Sequence, residues 1–222
     1  VRAGTGNNAL TVNEAIVTTP SGSAAGGSVI LEAGGAISLA SNGTITTTGT
    51  TAGSGGEVFI HHTNAAAGDI TLVKAITAQG VGAGNGGVVT VLNDSGNVLV
   101  NAGVDVTKGA TGADGTIQLQ ATGNITNNGT GILTGDTDGK LLAYSTGGEI
   151  DLSAVASAMK TASFRTDTTT ASTNNGTVKY YDSTDLTLAT VGGAGTLTTA
   201  PSGTLASSVV VTTNGVKTVA GG

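Results

Sequence analysis

Hydrophobic and polar positions alternate along this chain in short runs, and the runs recur. A small-residue turn leads into each one. Gly26-Gly27 precedes Val29 and Leu31, Gly55-Gly56 precedes Val58 and Ile60, and Gly86-Gly87 precedes Val89 and Val91. Asp114-Gly115 precedes Ile117 and Leu119, Asp138-Gly139 precedes Leu141 and Ala143, and Asn175-Gly176 precedes Val178 and Tyr180. A second run follows within about eight residues of each, a distance that belongs to the same repeat unit. It reads Gly35 to Ile37 and Leu39, then Gly68 to Ile70 and Leu72, then Gly96 to Val98 and Val100. It continues through Gly123 to Ile125, Gly148 to Ile150 and Leu152, and Thr184 to Leu186 and Leu188. A weaker third segment centres on Ile45, Ile76, Val106, Ile132 and Leu197, and Leu10, Val12 and Ile16 fit the second and third segments at the start.

Period-2 alternation in runs this short predicts strands, three per unit, with Gly, Asn, Ser and Thr between them. One stretch, 153–161, is rich enough in alanine to read as a helical turn. The unit repeats at roughly 25 to 37 residues, most often near 29. This predicts an all-β chain wound as a right-handed parallel β-helix. Each strand pairs with its equivalent one coil away at about 4.8 Å, giving seven to eight coils and a rod roughly 35 Å long. Interior columns follow: Val29, Val58, Val89, Ile117, Leu141, Val178; then Leu31, Ile60, Val91, Leu119, Ala143, Tyr180; then Ile37, Ile70, Val98, Ile125, Ile150, Leu186. Residues 1–222 form one domain in this reading, with 159–174 as an inserted loop in the longest coil. The competing fold, a sandwich of short antiparallel strands, does not require a fixed period.

The cadence of Gly-Gly before Val and Leu, then Gly before Ile and Leu, then Ile-Thr resembles the repeats of filamentous-haemagglutinin-type bacterial adhesins. Autotransporter passengers look similar. The resemblance covers nearly the whole chain. It implies secretion to the bacterial cell surface, an extended shaft, and adhesive work on host or cell-surface glycans or proteins. The Asn-Pro-Asn-Gly segment of that family's secretion domain is missing, as is an amphipathic C-terminal run fit for a translocator barrel. Both absences suit an interior shaft segment.

Composition sharpens this picture. The chain of 222 residues has 38 glycines, 2% aromatics and no cysteine. A narrow stacked interior leaves little room for Phe or Trp, and the corners call for glycines with positive φ. Absent cysteine removes disulfides, thiolate metal sites and cysteine nucleophiles together. Eight Lys and Arg against a net charge of −6 cannot build a basic footprint, which excludes nucleic acid as a partner. No apolar run is long enough for a membrane-spanning helix. The first residue is Val1 rather than Met, as expected of a processed or excised segment.

Candidate chemistry is sparse, and the chain reads as non-enzymatic with no cofactor. His61 and His62 are adjacent on a strand and point to opposite faces, so they do not share a metal. Asp136 and Asp138, before Gly139, resemble half of a calcium loop, but the third acidic ligand and the distal Glu are missing. Asp151, Glu149, Lys179 and Asp182 fall in neighbouring coils, yet glycosidic cleavage needs a carboxyl pair at a defined separation, and none recurs in register. Outward Ile30, Phe59 and Leu142 break the polar alternation and are candidates for a lateral interface. Val209, Val210 and Val211 keep a strand pattern near the end of the chain and are candidates for coil-to-coil self-association. Five Asn-x-Ser/Thr sites occur, at Asn42, Asn93, Asn124, Asn128 and Asn175, close to the number expected by chance.

Overall fold

A computed structural model describes residues 1–4, 6–166, 177–188, 208–212 and 215–218; for residue 177 and the last two stretches it describes the main chain alone. The first coil holds β1 (Arg2–Ala3), β2 (Leu10–Val12) and β3 (Ile16–Val17). The second holds β4 (Val29–Ala33), β5 (Ile37–Leu39) and β6 (Ile45–Thr46), and the third β7 (Glu57–His62), β8 (Ile70–Leu72) and β9 (Ile76–Thr77). Then come β10 (Val88–Asn93), β11 (Val98–Val100) and β12 (Val104–Asp105), followed by β13 (Thr116–Ala121), β14 (Ile125–Asn127) and β15 (Leu133–Thr134). The remaining strands are β16 (Lys140–Ser145), β17 (Ile150–Ser157), β18 (Thr161–Thr166), β19 (Thr177–Asp182), β20 (Asp185–Leu188), β21 (Ser208–Thr212) and β22 (Gly215–Thr218).

Among the described residues every strand pairs in parallel with its counterpart one coil away, which produces sheets of nine, eight and five strands. The fold is the predicted all-β parallel solenoid with three sides. Period-2 alternation puts the aliphatic residues inside. Val29, Val58, Val89, Ile117 and Leu141 stand in one register column, and Ile37, Ile70, Val98, Ile125 and Ile150 in another. Nearly all are fully buried and form one continuous core. Stacked Val, Ile and Leu columns are what hold the coils together, at roughly 1.5–3 kcal/mol for each fully buried side chain.

Several expectations shift after residue 150. The 153–161 stretch is not a helical turn, because β17 runs through Ser157. The segment 159–174 does not simply loop out: Thr161–Thr166 forms β18 and takes the first-sheet place beside β16, and 167–174 lies outside the described residues. This inserted rung displaces the later strands. Val178 and Tyr180 pair with Ile150 and Leu152 in the second sheet, not the first, while Leu186 falls in the first sheet opposite Val216. The third side also changes. After β15 it continues as a single bridge between Thr134 and Ala158, and only Ser183 and Thr184 separate β19 from β20. The core there turns aromatic, with the Phe164 and Tyr180 rings 5.1 Å apart.

The third-strand register differs as well. Val104, not Val106, pairs with Ile76 and Leu133. Leu133 is buried whereas Ile132 is 38% exposed. Leu197 lies outside the described residues. The glycine expectation needs a different physical reason. Among the described glycines only Gly4, Gly22, Gly82 and Gly96 have positive φ. At Gly86 the constraint is close approach instead: a methyl group there would overlap the Val106 carbonyl oxygen, because the backbone doubles back between the third and first sheets.

Candidate functional site

The outer face of the first sheet carries the lateral candidates. Ile30, 51% exposed, and Phe59 stand on neighbouring rungs. Leu142 lies three rungs from Phe59, beyond Thr90 and Gln118, a separation of about 14 Å. The structure therefore brings two of the three together. Beside them a second outward column runs Arg2, Glu32, His61, Leu92, Gln120, Tyr144, Arg165. Opposite charges meet at Arg2 and Glu32 on its first two rungs. Arg2 Nε lies 3.4 Å from Glu32, His61 Nε2 lies 3.0 Å from Asp94, and the Arg165 guanidinium sits 5.3 Å above the Tyr144 ring. The His61 ring meets Phe59 edge-on at 5.6 Å.

His62 faces inward, as its neighbour's outward position requires, and it is fully buried. Its partner is Asn93 on the next rung, with Nδ1 3.0 Å from the Asn93 amide oxygen. Asn93 Nδ2 donates to the Gly68 and Asn97 carbonyls, and Asn93 Oδ1 also accepts from the Ser95 N–H. That pattern fixes the amide orientation, so Nδ1 of His62 carries the proton and donates it. Nε2 is buried without a hydrogen-bond partner among the described residues. Of the Asn-x-Ser/Thr sites, Asn93 is thus spent on internal bonds, while Asn42 and Asn128 sit on exposed turns.

Asp136 and Asp138 do not converge on an open coordination site. Asp138 Oδ1 accepts from the Asp114 N–H at 2.8 Å and from Lys108 Nζ at 3.3 Å. Asp114 in turn accepts from the Asp138 N–H at 2.8 Å and the Lys108 N–H at 2.8 Å. Burial pushes the Asp138 carboxyl up, but the hydrogen bonds from Asp114 and Lys108 outweigh it and hold the group below the ordinary aspartate range. Asp136 sits beside this cluster with φ of 33°, a strained turn position that an aspartate tolerates better than most residues. No group of three or more metal-ligating side chains is gathered among the described residues.

The carboxylates of the neighbouring coils are similarly engaged. Lys179 Nζ donates to Asp151 Oδ2 at 3.0 Å, and the Ser153 hydroxyl donates to Asp151 Oδ1 at 2.6 Å. Burial alone would raise the Asp151 carboxyl; the bonds from Ser153 and Lys179 leave it below its ordinary value. Asp182 points into the solenoid and is fully buried. It accepts from the Tyr180 hydroxyl at 2.6 Å, the Met159 N–H at 3.0 Å, and the Thr184 N–H and hydroxyl at 2.8 and 2.6 Å. Burial, reinforced by the Asp182 charge, drives the Tyr180 phenol far above its ordinary pKa. This arrangement seals a turn.

A ladder that sequence reading missed runs along the start of the second sheet. Asp69 Oδ1 accepts from the Asn97 N–H at 2.9 Å, Asn97 Oδ1 from the Asn124 N–H at 2.8 Å, and Asn124 Oδ1 from the Glu149 N–H at 2.9 Å. The signal was present as Asp or Asn between the glycine and the first apolar residue of that motif. Val209, Val210 and Val211 lie on β21, whose main chain pairs with Val178, Lys179 and Tyr180 at the last rung of the second sheet. No helix among the described residues is long and apolar enough to cross a membrane. No protein-family model, curated protein or solved structure gives a significant match to this chain.

Proposed function

We propose that this chain is a non-catalytic structural shaft, a rod segment of a secreted bacterial surface protein with adhesive work. The observation that carries the reading is the register, which runs from coil to coil without a shift as far as Leu152. Interior aliphatic columns continue from coil to coil, while the polar side chains at the corners spend their hydrogen bonds on the next coil. A solenoid built this way resists bending and displays outward residues at a fixed rise of about 4.8 Å, which suits a spacer or a repeated adhesive surface. The engagement of Asp151, Asp182, Asp114 and Asp138 in bonds within and between coils favours a structural role over a polysaccharide-cleaving one. The adhesive and secreted character rests on the repeat resemblance.

A second reading, a subunit that stacks into extracellular filaments, draws support from the edges. Among the described residues β1, β2 and β3 each pair on one side only, and so do β21 and β22 at the other limit of their sheets. Such edges are templates for a further strand. Electron microscopy of the isolated chain separates the two. Short rods of uniform length support the shaft; filaments of indefinite length overturn it in favour of the stacking subunit. Release of reducing ends from acidic polysaccharides, abolished by Asp151→Asn, would overturn both.

A further inference from the structure

The corner between the second and third sheets comes in two lengths. Residues 13–15, 73–75 and 101–103 make short connections, whereas 40–44 and 128–132 are longer. Both longer turns contain Asn-Gly-Thr, at Asn42 and Asn128. A third Asn-Gly pair, at Asn85, precedes β10, and those at Asn175 and Asn214 lie outside the fully described residues. Asn-Gly is a good turn former because glycine accepts unusual backbone angles. The same freedom lets the glycine nitrogen reach the preceding side chain.

The three described pairs differ in how their glycines are held. The Gly43 N–H donates to the Ala40 carbonyl at 2.7 Å, and a methyl group there would overlap the Val12 carbonyl oxygen of the adjoining coil. The Gly86 N–H donates to the Ala113 carbonyl at 2.8 Å, and Asn85 Oδ1 accepts from the Ala113 N–H at 2.8 Å. Gly129 is different. Its N–H has no partner among the described residues, and apart from its own chain neighbours no heavy atom lies within 4 Å of where its Cβ would stand. Asn128 is also polarised. Its Oδ1 accepts from the Thr130 N–H at 3.0 Å and lies 2.9 Å from the Thr130 hydroxyl, whose single proton is shared with the Asn101 carbonyl 2.7 Å away. Hydrogen-bond donors on a carbonyl oxygen stabilise the charge that develops there when a nucleophile adds.

We propose that Asn128 is a self-modifying site of the folded chain, deamidating through a succinimide ahead of the other described Asn-Gly pairs. The Gly129 nitrogen attacks Asn128 Cγ. A bond forms between that nitrogen and Cγ, the Cγ–Nδ2 bond breaks, and ammonia leaves carrying the glycine amide proton. Water then opens one of the two imide C–N bonds, giving aspartate or isoaspartate. Either product adds a negative charge to an exposed turn; isoaspartate also routes the main chain through the β-carbon. Asn42 and Asn85 first have to break a backbone hydrogen bond, which slows them by roughly fivefold or more.

The test is incubation of the full purified chain at neutral to mildly alkaline pH, with peptide mapping by mass spectrometry and isoaspartate-specific methyl labelling. A parallel sample is held in denaturant. Conversion at Asn128 at least about fivefold faster than at Asn42 and Asn85 in the folded sample, with the three rates converging in denaturant, is the expected result. Equal rates at Asn42 or Asn85 in the folded chain, or an order unchanged by unfolding, overturns the proposal.

Discussion

Asp114 and Asp138 hold each other's main chain: the Asp138 carboxylate accepts the Asp114 N–H at 2.8 Å, and the Asp114 carboxylate accepts the Asp138 N–H at 2.8 Å. The two residues lie one coil apart, each just before the glycine that leads into a first-sheet strand. Carboxylates in this position serve as coil-to-coil brackets, with Lys108 offsetting the charge.

Asp138→Ala removes one of the bracket's two acceptors, leaving the Asp114 N–H to solvent while the N–H of residue 138 keeps the Asp114 carboxylate. A loss of about 1 kcal/mol is expected, less than the roughly 1.5–3 kcal/mol of a buried bond to a charged group, because Asp138 is half exposed. Urea unfolding midpoints measure it. Added calcium leaves the melting temperature of the wild type unchanged, since the Asp114 and Asp138 carboxylates already have donors; a calcium-dependent rise would assign Asp136 and Asp138 to an ion after all.

Asn93→Ala is expected to be among the most damaging polar substitutions. It strands the His62 Nδ1–H and the Ser95 N–H, and it takes a donor from the Gly68 and Asn97 carbonyls, of which Asn97 keeps the Ile70 N–H. Each buried group left unpaired costs about 1–3 kcal/mol, so a total of about 2–4 kcal/mol is expected after relaxation. Chemical denaturation of the variant reads this directly.

Two glycine substitutions separate close approach from mere flexibility. Gly86→Ala forces a methyl group onto the Val106 carbonyl and is expected to cost about 3 kcal/mol or to prevent folding. Gly129→Ala meets open space and is expected to change stability by less than about 1 kcal/mol in either direction. Thermal melts of the pair provide the comparison.

The Asp151–Lys179 pair sets a pH window. The folded Asp151 carboxyl lies below its ordinary value of about 3.9, so its contribution is present above that pH and is lost as pH falls through the folded value. The Lys179 ammonium is raised by the Asp151 hydrogen bond and charge, so its contribution is present below about pH 10.4 and is lost as pH rises through the folded value. Asp151→Asn therefore lowers stability across the neutral range and flattens the acid limb of the stability curve. A variant whose acid limb overlays the wild type would contradict this.

Much of this fold was legible in the chain because Val29, Val58 and Val89 recur behind the same Gly-Gly turn, and stacked coils reward that repetition. The third strand is only two residues long, so its register rested on parity alone. Val106 kept the inward parity of Val104 but stood two residues off, and the longer 128–132 turn moved the inward place from Ile132 to Leu133. The slip after residue 150 was invisible because Thr161–Thr166 lacks a glycine lead-in, yet its backbone can still occupy a rung. The approach of Asp151 and Lys179 was legible, because the repeat placed them in neighbouring coils although they are 28 residues apart. The mutual bracket of Asp114 and Asp138 was not, because its bonds run from carboxylate to main chain and leave no mark in the spacing of charges.

The central claim is that the chain climbs one axis by one rung per coil. Thr11 and Thr126 face outward on the second sheet, separated by the rungs of Ser38, Thr71 and Leu99. Because the chain has no cysteine, Thr11→Cys with Thr126→Cys gives a clean spin-labelling pair. Pulsed dipolar spectroscopy is expected to show one narrow backbone-to-backbone separation near 19 Å, four steps of about 4.8 Å, after allowance for the label arms. A broad distribution, or a separation far from four rungs, would contradict the stacked-coil account.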